Sequence, residues 1–68
     1  MVRFDVERMR DDATAQGLNG AGLARLAQVS EMTVSRFWRG RAKSPVTAKK
    51  LADALGFPLQ RYVIEERV

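Results

Sequence analysis

Apolar side chains recur along the chain at intervals of three and four residues, in blocks punctuated by glycine. That spacing predicts short amphipathic helices rather than strands. Val6, Met9 and Ala13 make the first block. Asp5 ahead of it is a good N-cap, and Phe4 is placed to staple onto Met9. Gly17 stops the pattern and Leu18 can fold back over the last turn, which predicts a helix over about 6–16. Asn19 is the next cap, and Leu23, Leu26 and Ala27 mark a short apolar face over about 20–27. Gly20 and Gly22 weaken this segment, since a glycine costs roughly 1 kcal/mol against alanine in a helix interior. Ser30 caps a third helix at about 31–39, ended by Gly40. After the basic loop Arg41 to Lys43, Ser44-Pro45 supplies a cap and an N1 proline. The fourth helix then runs over about 45–55, with Ala48, Leu51, Ala52 and Leu55 inward. Gly56 ends it and Phe57 packs back. Pro58 starts a last short helix, predicted over about 58–63, and Ile64 to Val68 fits neither period. No segment carries a hairpin signal, and internal repeats and linkers are absent. The expectation is an all-α fold, a compact five-helix bundle forming one domain over residues 1–68.

Composition narrows how so small a bundle can be held together. A chain of 68 residues buries only about 60% of its unfolded surface, so domains of this size often lean on disulfides, metals or self-association. Without cysteine there is no disulfide, and without histidine a zinc site is not expected. No cofactor and no small-molecule ligand is predicted. The charged N-terminal stretch MVRFDVERMRDD predicts no secretory leader, and the apolar runs are too short to span a membrane. The lack of cysteine is compatible with a reducing cytoplasm.

The layout of charge says more than the net value of +4. Between Asp12 and Asp53 the only acid is Glu31, whereas Arg36, Arg39, Arg41, Lys43, Lys49 and Lys50 follow one another with no acid among them. Such a stripe suits a polyanion, either nucleic acid or a membrane surface. On charge alone, a solvated basic face explains it equally well.

The third helix separates the two readings. At about 100° per residue, with Val34 at 0°, Phe37 falls at about 300° and Trp38 at about 40°, so these three share the core face. Ser35, Arg39, Met32 and Arg36 fall at about 100°, 140°, 160° and 200°, broadly opposite. A face built only for solubility would carry Lys and Glu. Small hydroxyls, arginines and an exposed methionine instead suit the major groove of DNA, which admits a helix and offers acceptors, donors and thymine methyls.

At this point the chain resembles a known family. LNGAGLARLAQVSEMTVSRFWRG followed by PVTAKKLADALGFPLQRYV is similar to the Cro/phage-repressor type of helix-turn-helix domain, the XRE-like family, over about residues 6–63. The matches are Leu18-Asn19, Leu23-Ala24, Val29-Ser30, Arg39-Gly40, Pro45 and Ala54-Leu55-Gly56, in order and at the family's spacing. The resemblance implies a lambda-repressor-like DNA-binding domain with residues 31–39 as the recognition helix in the major groove. Carried over position by position, it makes Glu31, Met32, Ser35 and Arg36 base readers, with Thr33 at the margin. Asn19, Ser30, Arg39, Arg41 and Lys43 become phosphate contacts. Three residues depart from the family pattern. Gly20 stands where a phosphate-binding Gln is usual, Gln28 where the turn usually has Gly, and Trp38 where a polar residue is usual. Trp38 is expected to add core closure in preference to stacking on DNA.

The resemblance implies a transcription regulator, Cro-like, from a phage or bacterium, repressing by occluding a promoter on a double-stranded operator. Half-sites in this family are paired by two-fold dimers. Phe57, Leu59, Tyr62, Val63 and Ile64 are the apolar candidates for a dimer surface, and part of them must close the core. The expectation is therefore a monomer or weak dimer that pairs on DNA. The competing readings are an antitoxin or other protein-interaction module, disfavoured by the short tail, and an excisionase-like architectural protein. An enzyme is not expected. Asp11-Asp12 and Glu65-Glu66 read as solvated charge, and GLNGAG lacks a preceding strand and the spacing of a phosphate loop.

Overall fold

Four side-chain caps begin the four α-helices found in the computed structural model, which describes residues 2–40 and 44–65. In α1 (Val6–Ala15) the Asp5 carboxylate accepts the Arg8 N–H at 3.0 Å. In α2 (Gly20–Ala27) the Asn19 side chain accepts the Gly22 N–H at 2.7 Å. Ser30 does the same for the Thr33 N–H of α3 (Glu31–Trp38) at 3.1 Å, and Ser44 for the Thr47 N–H of α4 (Pro45–Leu55) at 3.4 Å. Each bond satisfies one of the donors that a helix start leaves open.

The ends are as specific as the starts. Leu18 N–H reaches back to Ala13 O at 2.9 Å, and Phe57 N–H to Ala52 O at 3.1 Å. Both turns pass through a left-handed glycine, Gly17 at φ +74° and Gly56 at φ +84°. The end of α2 has the same bonding, Val29 N–H to Ala24 O at 3.0 Å, but its left-handed residue is Gln28 at φ 61°, ψ 43°. Gln28 is the only non-glycine with positive φ among the described residues.

One apolar core joins the helices. Met9 and Ala13 of α1, Leu23, Ala24 and Ala27 of α2, Val34 and Phe37 of α3, and Ala48, Leu51, Ala52 and Leu55 of α4 are all buried, together with Tyr62. Phe4 packs against this core with its ring centroid 6.0 Å from that of Phe37. Leu26 departs from the expectation: it is 56% exposed and belongs to the outer surface of α2 rather than its apolar face.

The C-terminal part of the fold differs from the five-helix, all-α expectation. Residues 58–63 do not form an α-helix. Leu59–Tyr62 is a single 3-10 turn, preceded by Pro58 in an extended conformation. The chain then enters β2 (Val63–Glu65), which pairs antiparallel with β1 (Val2–Phe4): Val2 faces Glu65, Arg3 faces Ile64 and Phe4 faces Val63. β-Branched Val63 and Ile64 favour this extended pairing over another helical turn. The fold is thus four α-helices closed by a two-stranded ribbon made from the two ends of the described chain.

A polar cluster fastens the 3-10 turn ahead of this ribbon to α1. Arg61 binds Asp12 through two hydrogen bonds, Nε to Oδ2 at 2.8 Å and Nη2 to Oδ1 at 3.0 Å. The Tyr62 hydroxyl donates to the same Oδ2 at 2.6 Å, and the Arg61 guanidinium lies 4.4 Å from the Phe57 ring centroid. The hydrogen bond from Arg61, supported by the one from Tyr62, holds the Asp12 carboxyl below its ordinary 3.8 against the opposing effect of burial. Burial first, and then the Asp12 contact, push the Tyr62 phenol up to about 12. Nearby, the Gln16 side-chain amide donates to Leu55 O at 2.7 Å and ties the end of α1 to that of α4.

Candidate nucleic-acid interface

The face of α3 turned from the core is set by two anchors. Val34 and Phe37 are buried, so the opposite side must look outward. Met32 is 63% exposed, Glu31, Arg36 and Arg39 are exposed, and Thr33 and Ser35 are half-buried at the margins. Burying the three-residue connection Gln28-Val29-Ser30 only at Val29, which packs on the core, holds α3 directly against α2.

Charge on this side is left open. Arg36 and Arg39 have no ion-pair partner among the described residues. Lys49, counted in the basic stripe, is different: its Nζ lies 2.6 Å from Asp53 Oδ1, one helical turn on, and is neutralised there. Arg41 and Lys43 lie outside the described residues.

Two of the hydroxyls are already engaged. Ser30 Oγ accepts the Thr33 N–H and lies 2.8 Å from Thr33 Oγ1. If Thr33 donates in that contact, the Ser30 hydroxyl keeps its own proton for an outside acceptor. Asn19 spends its side-chain oxygen on the cap of α2 and retains its amide N–H groups.

A shallow groove runs between the first turn of α2 and the outer side of α3. Glu31, Met32, Ser35 and Arg39 line it together with Gly20 and Ala21. The structure thus gathers three of the proposed base readers and one phosphate candidate on one surface. Arg36 stands outside this groove, exposed on another flank of α3. Trp38, which sequence reasoning assigns to core closure ahead of a DNA-facing role, belongs here too. It is half-buried, packs against the core, and also lines the groove. Its position at about 40° from Val34 was the available signal, since that angle lies at the border of the core face.

A helix held outward on a second helix by so short a turn, with its cations unspent, is how helix-turn-helix proteins present a recognition helix to double-stranded DNA. The chain belongs to that family: the family described as Helix-turn-helix matches residues 7–62, and it is an XRE-type (Cro/phage-repressor-type) DNA-binding transcription regulator. No curated protein matches the chain. Among the described residues no helix is long and apolar enough to cross a membrane.

Proposed function

We propose that this regulator is a Cro-like repressor of phage or bacterial origin, acting in the cytoplasm by laying α3 in the major groove of an operator that overlaps a promoter. The observation that carries this reading is the outer face of α3, where an exposed methionine lies among arginines that have no ion-pair partner among the described residues. Arg36 bonds guanine O6 and N7, Glu31 accepts from cytosine N4, and Met32 touches a thymine methyl. Ser35 adds a hydroxyl to the readout and Thr33 supports it from the margin. Asn19, Ser30, Arg39, Arg41 and Lys43 bind phosphates and set the register of the helix.

One recognition helix covers only a few base pairs, so two copies pair on a two-fold site with half-sites roughly 34 Å apart. The pairing is weak in solution. Tyr62 is spent on the core, Phe57, Leu59 and Val63 are half-buried, and Ile64, 37% exposed, is the main apolar surplus of that group. Selection from a pool of random duplexes tests the reading. It should return a palindromic site, and a footprint on that site within its natural promoter should overlap the polymerase contacts. Titration onto paired half-sites should be steeper than onto one. Recovery of no consensus would defeat the proposal, and a non-palindromic consensus would defeat the pairing.

A further inference from the structure

Trp38 ends α3 between two environments. On one side its ring meets that of Phe37 edge-on, with centroids 6.2 Å apart, and packs against the core. On the other it lines the groove with Gly20, Ala21, Glu31, Met32, Ser35 and Arg39, the Glu31 carboxylate at the far end, seven residues before Trp38 on α3. Its Nε1 lies 4.0 Å from the point a Cβ would occupy on Gly20, so the indole nitrogen is turned toward the start of α2. No hydrogen-bond partner for that N–H is found among the described residues, and no unpartnered side-chain nitrogen or oxygen among them is sealed from solvent.

An indole N–H can only donate, and a tryptophan placed with its body in a core normally finds an acceptor for it. Here no acceptor is found among the described residues, the N–H is open to water, and a ligand acceptor can take the water's place. Met32, Ser35 and Trp38 follow one another at i, i+3 spacing and form one ridge along α3. The N-terminal part of a recognition helix meets base edges. Further along the helix, the acceptors within reach are the phosphate oxygens of the groove wall. Arg39, next in the chain and in the same groove, adds positive charge for the same acceptor.

We propose that Trp38 is a DNA-backbone contact, its indole N–H donating to a phosphate oxygen beside α3 on the side where Gly20 contributes no side chain. This rests on the assignment of α3 as the helix that enters DNA. Trp38→Phe removes the N–H and keeps an aromatic ring against Phe37. The variant should melt with the unmodified protein and bind operator and random duplex alike about 3- to 10-fold more weakly, the worth of one hydrogen bond. Trp38 is the only tryptophan, so its indole ¹H–¹⁵N cross-peak is unambiguous. Adding operator duplex should move that peak and slow its exchange with water. A neutral methylphosphonate at the contacted position should weaken the unmodified protein more than Trp38→Phe, in which only the attraction of Arg39 is left to lose. Full-strength binding by Trp38→Phe, or an unmoved indole peak in a complex that does form, overturns the contact while leaving the placement of α3 intact. A loss confined to one base position makes the N–H a base reader and overturns the phosphate assignment. Absence of any duplex binding by the unmodified protein removes both. Should Trp38→Phe lose its fold, the indole peak decides alone.

Discussion

Arg61 and Arg36 are the same residue in opposite circumstances. Arg61 is held by two hydrogen bonds to Asp12 and lies over Phe57, whereas Arg36 is exposed with no ion pair among the described residues. The contrast extends to their surroundings. At the corner formed by α1, α4 and the 3-10 turn, the helix ends pass through glycine and the polar groups find partners inside the molecule. On the side of α3, the turn before that helix puts Gln28 in a left-handed conformation, and Arg36 and Arg39 are exposed without an ion pair among the described residues. A small domain can hold together with one satisfied corner and keep its other charges for a ligand. Satisfied charge there serves stability, and open charge is what the proposed DNA contact uses.

The sharpest way to break this division is at the corner. Tyr62 is fully buried, and Tyr62→Ala should cost about 3–5 kcal/mol, as for other large aromatic truncations, which is enough to unfold a domain of marginal stability. Denaturation followed by circular dichroism gives the answer, and a variant with the parent's midpoint would show that the corner is not what holds the fold. On the other side of the comparison, Arg36→Ala should lose about 1–3 kcal/mol on its operator and relax one base position, with no change in melting. Arg39→Ala should weaken operator and random duplex equally. An Arg36→Ala protein that loses affinity for both DNAs to the same degree would remove it from the readout.

Asp12→Asn sharpens the contrast with a smaller effect. It should lower stability by about 1–2 kcal/mol, at the low end for charged hydrogen bonds because Arg61 is partly exposed and screened. DNA affinity should stay unchanged. The pH dependence has a definite sign. Folding lowers the Asp12 carboxyl below 3.8, so its contribution is complete above that value and fades as pH falls through the folded value. Wild type and Asp12→Asn should therefore converge in stability in acid. Tyr62 acts in the opposite direction: raised from 10.0 to about 12, its phenol contributes fully below 10 and loses that contribution between 10 and 12. The smallest effect is expected at Gln28. Relieving its left-handed backbone with Gln28→Gly should raise stability by about 0.5–1 kcal/mol, the cost of that conformation less the entropy of an added glycine. Unchanged or lower stability in thermal melts would mean that the turn is not strained.

What could be read in the sequence was local. Asp5, Asn19, Ser30 and Ser44 cap within three residues of themselves, and the face of α3 follows from the spacing of Val34 and Phe37. What could not be read was distant. Asp12 and Arg61 meet across 49 positions, and β1 and β2 are three residues each, too short for an alternating pattern and joined by no turn of their own. Pro58 and the residues after it were read as a helix because a helix start and a 3-10 start look alike over one turn. In the candidate site, Met32 was placed correctly on the outer face by angle alone. For Trp38, at the border angle, spacing favours core closure over a DNA-facing role, because it cannot divide one ring between two surroundings.

The ribbon also bears on the order in which the molecule assembles. Pairing Val2 with Glu65 closes a loop almost as long as the described chain, and the entropy of closure rises with the length enclosed. The contact between α2 and α3 closes a loop of only a few residues. The half of the fold proposed to meet DNA is therefore the half that can form early, and the ribbon fastens last. In rate measurements, truncations at Leu23 or Val34 should slow folding, and those at Val63 should mainly speed unfolding.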